Sequence, residues 1–154
     1  INHRAVFVCS QAALPYLKKS SNGHILSLSP PINLNPKWLT VFAPYTLSKY
    51  GMTLLSIGMA QEFKDYGICV NTLWPETYIA TAAVTNNIAN DEAVDICRKP
   101  DIMADAAFAI ISHRETGQHY LDEGVLRGYG VTDFDHYACN PATKDQIQRD
   151  FFLD

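Results

Sequence analysis

A strand, a long loop, a helix and a second strand, each closed by its own proline or glycine, constrain this chain more than any other feature. His24-Ile-Leu-Ser-Leu-Ser29 alternates apolar and small polar residues and stops at Pro30-Pro31, where a ladder cannot continue. A polar, proline-rich loop follows from Pro30 to Pro44. From Tyr45 to Tyr66, the apolar residues Leu47, Tyr50, Leu54, Leu55, Ile57, Met59 and Phe63 recur at helical spacing, and Gly67 stands where a helix usually ends. The run Ile68-Cys-Val-Asn-Thr-Leu-Trp74 is apolar, β-branched and closed by Pro75, as a strand buried on both faces would be. A strand, crossover helix and strand of this length make a βαβ unit, which predicts an α/β fold with a parallel sheet.

Inside that unit lies Tyr45-Thr-Leu-Ser-Lys49. Residues four apart share a helical face, so the Lys49 ammonium is expected beside the Tyr45 phenol. A neighbouring cation favours the phenolate and draws the phenol down from a pKa of about 10 toward working pH, which makes an acid able to protonate a carbonyl oxygen. With eight tyrosines in the chain, the spacing alone is weak, and its setting has to supply the specificity.

That setting resembles the C-terminal half of a short-chain dehydrogenase/reductase, almost from end to end. Asn2-His-Arg-Ala-Val-Phe-Val-Cys9 is similar to the helix that carries the family's asparagine, and residues 27 to 38 to the strand and loop before its tyrosine. Asn-Leu-Asn-Pro, Tyr-Thr-Leu-Ser-Lys-Tyr-Gly-Met, Leu-Trp-Pro and the closing Asp-Phe-Phe-Leu-Asp most resemble the hydroxysteroid dehydrogenase-like protein 2 group. The resemblance implies a partial Rossmann-like doubly wound sheet, with about three parallel strands near 24 to 29, 68 to 74 and 118 to 122 and flanking helices. It further implies that residues 1–154 are one domain fragment, the catalytic half, without the family's first four strands and cofactor glycines. On that reading the strand at 24 to 29 has a raw edge, and the isolated piece is marginal and inactive.

One stretch matches a cofactor-binding pattern by letter only. Gly124-Val-Leu-Arg-Gly128-Tyr-Gly130 reads Gly-x-x-x-Gly-x-Gly, but Val-Thr-Asp-Phe-Asp follows it in place of a long amphipathic helix. Too few residues remain to complete a βαβ unit of about 30. A short helix closed by glycine caps is the expected structure there.

Residue roles follow from the resemblance position by position. Tyr45 would be the general acid/base, and Lys49 would lower its pKa and hold the nicotinamide ribose hydroxyls. Asn2 would link the lysine through water to a proton path; as a plain polar helix residue it would have no such role. The family's serine position falls on Pro30, which has no side-chain donor. Ser29, one residue earlier, should point to the opposite face unless Pro30-Pro31 distorts the strand end, and Asn33 is another candidate donor. Pro75-Glu-Thr77-Tyr-Ile79-Ala-Thr81 departs from the family's Pro-Gly, since Glu76 replaces the glycine. Thr77 and Thr81, with backbone near Pro75 and Ile79, are candidates for carboxamide and phosphate contacts; a threonine capping the next helix is the alternative. Ala80 to Ile96 resembles a mobile substrate loop, with a short amphipathic helix as the other reading. Pro100 to Ile111 reads as a further crossover helix.

The expected reaction is hydride transfer between NADP, or alternatively NAD, and a carbonyl or alcohol of a small lipophilic molecule. A catalytically silent dehydrogenase-like binding or scaffold protein is the rival reading, supported by Pro30 and Glu76. A doubly wound hydrolase is less consistent, because no Gly-x-Ser-x-Gly elbow occurs. The family's helices equivalent to residues 2 to 19 and 45 to 66 pack against copies in another subunit, so a homo-oligomer is expected, with Gly51 and Gly58 permitting close contact.

Composition agrees and excludes little else. A net charge of -4 gives no reason to expect nucleic acid or an anionic membrane, and no apolar run approaches the ~20 residues of a membrane span. Cys9, Cys69, Cys97 and Cys139 are widely spaced, which predicts reduced, mostly buried thiols and an intracellular, cytoplasmic location, with mitochondrial or peroxisomal alternatives. The five histidines show no metal-ligand spacing, so no metal is predicted.

Overall fold

The computed structural model describes residues 1–40, 42–87 and 91–153. They form two compact units, one of residues 1–74 with 110–120, the other of residues 75–109 with 121–153.

In the first unit, strands β1 (His24–Leu28) and β2 (Cys69–Trp74) run parallel, with His24 opposite Cys69 and Leu28 opposite Leu73. With β3 (His119–Leu121) they make a three-stranded parallel sheet in the order β1-β2-β3. Every residue of the central β2 is buried, which is why it reads as a continuous apolar run instead of an alternation. Its two polar residues are satisfied: the Asn71 amide donates to the Glu115 carbonyl at 2.8 Å, and Thr72 Oγ1 meets His119 Nδ1 at 2.9 Å.

Helices α1 (Asn2–Leu17) and α3 (Ala43–Glu62) pack beside this sheet. Met59, Ala60 and Phe63 of the α3 end join Ile68 and Val70 in a core, against which Val6, Leu14, Leu17, Ile25 and Leu55 close. Gly51 serves this packing directly, because a Cβ there would lie 3.0 Å from His3 Cβ on α1. The close approach expected at Gly51 is thus made by a helix of the same chain, while a Cβ at Gly58 would meet nothing within 4 Å. The α-helix stops at Glu62, short of the expected Tyr66; a 3-10 turn at Lys64–Tyr66 continues it to Gly67, whose φ of +66° and N–H bond to the Lys64 carbonyl at 2.9 Å end that turn. The Arg114 guanidinium then ties down the Gly67 and Ser21 carbonyls.

The loop before α3 contains a helix that the sequence reading did not anticipate, α2 (Lys37–Thr40). Asn35 starts it by accepting the Lys37 N–H on its side chain at 3.2 Å, with Pro36 in the first turn, a recognised helix-entry pattern. Thr46 Oγ1 holds the end of this loop by donating to the Trp38 carbonyl at 2.7 Å.

The second unit is built from short helices, α4 (Ala82–Asn87), α5 (Asp101–Ile111) and α6 (Asp122–Gly128), and from single bridges between extended segments. Thr77 pairs with Arg149, Ile79 with Arg98, and Arg98 with Ala138. The stretch that imitates a phosphate-binding glycine pattern is α6 followed by Gly130 at φ +88°, a short capped helix as expected. The segment expected to be a substrate loop, Ala80 to Ile96, contains α4 and a 3-10 turn at Asp91–Ile96; its residues 88–90 lie outside the described residues.

Cys69 and Cys97 are buried, Cys139 is partly so, and Cys9 is exposed on α1, against the expectation for mostly buried thiols. Among the described residues, no helix is long and apolar enough to cross a membrane, and no three His, Cys, Asp or Glu side chains gather as a metal would require.

Candidate active site

The first turns of α3 place Tyr45 and Lys49 on one face. Lys49 Nζ lies 6.0 Å from the centre of the Tyr45 ring and 5.2 Å from that of Trp74, the last residue of β2. Its ammonium donates to the Leu28 carbonyl at 3.1 Å, so the end of β1 fixes where the charge sits. Tyr45 itself is 41% exposed. A held cation beside an accessible phenol is the arrangement that eases proton release from the phenol.

Asn2 reaches the same turn from α1. Its amide donates to Ser48 Oγ at 3.0 Å, and Ser48 Oγ donates back to the Tyr45 carbonyl at 2.8 Å. The bond spans 46 residues of sequence; Ser48, Trp74 and the Leu28 carbonyl touch the candidate residues and were not singled out by the sequence reading. Only Ser48 had a local signal, its place inside the Tyr-to-Lys turn.

Ser29 is placed differently from these three. It is fully buried, and its Oγ lies 3.0 Å from Thr53 Oγ1, two turns beyond Tyr45 along α3. Thr53 also donates to the Pro30 carbonyl at 2.7 Å, so one hydroxyl pins both residues after β1. Asn33 is engaged too. Its backbone exchanges bonds with the Tyr50 hydroxyl at 2.6 and 3.2 Å, and its side-chain oxygen accepts the Asn35 N–H at 3.0 Å.

Pro75, Thr77, Ile79 and Thr81 belong to the second unit. The Glu76 N–H donates to Asp122 Oδ1 at 2.8 Å, and the Glu123 N–H donates to the same oxygen at 2.8 Å. Asp122 is fully buried and its Oδ2 has no hydrogen-bond partner; burial outweighs the two N–H bonds and pushes its carboxyl up to about 6. Thr77 is buried with an unpartnered hydroxyl, which leaves a polar atom suited to a polar group of a bound molecule. Ile79 is buried and its segment is held by the Ala80 N–H to the Arg98 carbonyl at 2.9 Å. Thr81 is exposed and directly precedes α4, its carbonyl accepting the Val84 N–H at 3.0 Å.

A profile of the short chain dehydrogenase family matches residues 1–92, the span that carries Asn2, Tyr45, Lys49 and Thr77. The chain belongs to the short-chain dehydrogenase family. It is 47% identical over its whole length to hydroxysteroid dehydrogenase-like protein 2 of Xenopus laevis and 46% identical to that of Homo sapiens, and it spans 36% of the length of each. Among solved structures, a short chain dehydrogenase of Mycobacterium thermoresistibile superposes with a TM-score of 0.89 at 46% identity, covering all of this chain and 55% of that one. A 7α-hydroxysteroid dehydrogenase solved with NADH and 7-oxo glycochenodeoxycholic acid superposes with a TM-score of 0.60 at 25% identity over 79% of this chain and 51% of that one. The α/β architecture of the short-chain dehydrogenases is therefore the fold here.

Proposed function

We propose that this chain is the catalytic portion of a longer nicotinamide-dependent dehydrogenase that interconverts a carbonyl and an alcohol on a small lipophilic molecule. The observation that carries the reading is the Tyr45 and Lys49 turn, with the ammonium held by the Leu28 carbonyl beside an exposed phenol. The cofactor, when bound, supplies or accepts the hydride. Tyr45 gives its proton to the substrate oxygen in reduction and takes it back in oxidation. Lys49 keeps the phenol acidic and offers ammonium donors to ribose hydroxyls. Asn2, through Ser48, fixes the turn on which both residues stand.

The second unit would hold the nicotinamide carboxamide with Thr77 and with backbone near Pro75 and Ile79; the unpartnered, buried Thr77 hydroxyl fits such a group. Thr81, at the entry of α4, is the candidate for a phosphate contact. NADP is the cofactor proposed, with NAD as the alternative. Ser29 is proposed to act through position, by anchoring the end of β1 that holds Lys49, since its hydroxyl is buried against Thr53. That burial is also the observation behind the second reading, a dehydrogenase-like binding or scaffold protein without turnover. An intracellular, cytoplasmic location is proposed from four cysteines that form no disulfide, and assembly of copies through α1 and α3 from their exposed apolar residues.

The test is NADPH and NADH oxidation by the longer protein across a panel of lipophilic ketones and aldehydes, for wild type and Lys49→Met. The proposal expects turnover that Lys49→Met lowers by about 10²-fold or more, with weaker cofactor binding. Turnover indifferent to Lys49 would overturn the mechanism, and absence of turnover with intact cofactor binding would favour the scaffold reading.

A further inference from the structure

Cys97 and Cys139 lie far apart in sequence but on adjoining segments of the second unit. Arg98 and Ala138 are bridged antiparallel, and the Lys99 N–H donates to the Tyr137 carbonyl at 2.7 Å on one side of that bridge. On the other side, the Cys139 N–H donates to the Cys97 carbonyl at 3.0 Å, so the two cysteines face each other across the pair. The Cys97 N–H donates instead to the Val94 carbonyl at 3.0 Å, so one of the two bonds of such a pair is made. Residues directly opposite in an antiparallel pair have Cα atoms about 4.5–5.5 Å apart, within the roughly 4.4–6.8 Å that disulfides span. Directly opposed side chains also leave the same face of the pair, and the Arg98 guanidinium leaves by the other one toward Glu123, 2.6 Å away. Neither cysteine is in a disulfide in the structure; Cys97 is fully buried and Cys139 is partly open to solvent.

We propose that Cys97 and Cys139 form a reversible dithiol/disulfide site, oxidised by a small-molecule disulfide of the glutathione class. The Cys139 thiolate attacks the oxidant's disulfide and releases one glutathione thiolate, leaving a mixed disulfide on Cys139. The Cys97 thiolate then attacks the Cys139 sulfur and releases the second glutathione. The two protein thiols lose two electrons and two protons in all, and the oxidant's disulfide gains both. The buried partner acts second, as its lack of access requires.

Burial sets the rate and the poise of this site. It raises the thiol pKa of both residues, to about 11 for Cys97, where Cys139 and Asp150 add to the rise; at Cys139 the Lys99 ammonium offsets part of it and Asp95 adds to it. Little thiolate is present at neutral pH, so oxidation is slow and accelerates about tenfold per pH unit. The reduced form is not held by thiolate stabilisation, which favours the disulfide at equilibrium. Closing it would fasten the Arg98 segment to Ala138, and Arg98 is the residue with which Ile79 pairs.

The experiment treats this chain, with exposed Cys9 replaced by Ser, with oxidised glutathione at pH 7, 8 and 9. Remaining thiols are then alkylated under denaturing conditions and the peptides mapped by mass. Cleavage after Glu76 separates Cys69 from Cys97. The expected result is a linked peptide pair holding Cys97 and Cys139, lighter by two hydrogens, reversed by dithiothreitol and formed about tenfold faster per pH unit. A stable glutathione adduct on Cys139 with Cys97 alkylated would overturn the proposal, as would alkylation of both. In the Cys139→Ser variant, Cys97 is expected to stay fully alkylatable; a new disulfide from Cys97 to Cys69 there would also overturn it.

Discussion

Asp122 shows at the scale of one residue how geometry sets a pH response. Its carboxyl has a folded pKa of about 6 against the ordinary 3.8, because desolvation exceeds the help of the Glu76 and Glu123 N–H groups. The folded state therefore binds a proton that the unfolded state releases, so this residue's contribution to stability is greatest below pH 3.8 and is lost as pH rises to about 6. Denaturant unfolding at pH 4, 5, 6 and 7 tests this. The stability of wild type minus that of Asp122→Asn is expected to fall across the window by about 3 kcal/mol, roughly 1.4 per unit, and to stay level above it. A difference independent of pH would mean that Asp122 is ionised in the folded chain throughout. Asp122 had only a weak sequence signal, an acid after a short strand. By contrast, Tyr45 and Lys49 were legible because a fixed spacing on a helix is local. The place of Ser29 was not legible, because it depends on Thr53, 24 residues away.

At the scale of elements, the two glycines of α3 separate intrinsic propensity from packing. Gly58 faces open space, so Gly58→Ala should gain helix propensity and stabilise the chain by about 0.5–1 kcal/mol. Gly51→Ala gains the same propensity but puts a methyl 3.0 Å from His3 Cβ, and a contact that tight in a packed helix pair costs about 1–3 kcal/mol. Thermal unfolding should therefore rank Gly58→Ala above wild type and wild type above Gly51→Ala; the reverse order would place the α1 contact elsewhere. The elements of the first unit were readable because periods of two and 3.6 residues alternate there between prolines and glycines. α2 was missed although Asn35-Pro36 announces it, since a four-residue helix has no periodicity to see. The single bridges of the second unit join residues such as Thr77 and Arg149 that no local pattern connects.

At the scale of the whole molecule, apolar surface remains open on the two helices proposed to join copies. Leu47, Leu54 and Ile57 on α3 are 71%, 60% and 44% exposed, and Phe7 and Val8 on α1 about half exposed. Apolar residues gathered in this way mark an interaction face more often than solvent-facing surface. Sedimentation should show concentration-dependent association that Leu54→Glu abolishes while leaving the circular dichroism unchanged; equal masses for the two proteins would remove these helices from the interface. β1 lies at the edge of the sheet, with Leu28 52% exposed. This is the strand whose carbonyl holds Lys49, so anything that orders the edge also orders the candidate site.

The central claim is that Tyr45 moves the proton. Its most direct test is kcat for carbonyl reduction by the longer protein, measured at saturating cofactor, in wild type and in Tyr45→Phe. The phenylalanine keeps the ring beside Lys49 and removes only the hydroxyl, so kcat should fall by about 10²-fold or more with cofactor affinity little changed. Equal kcat in the two proteins would contradict the account.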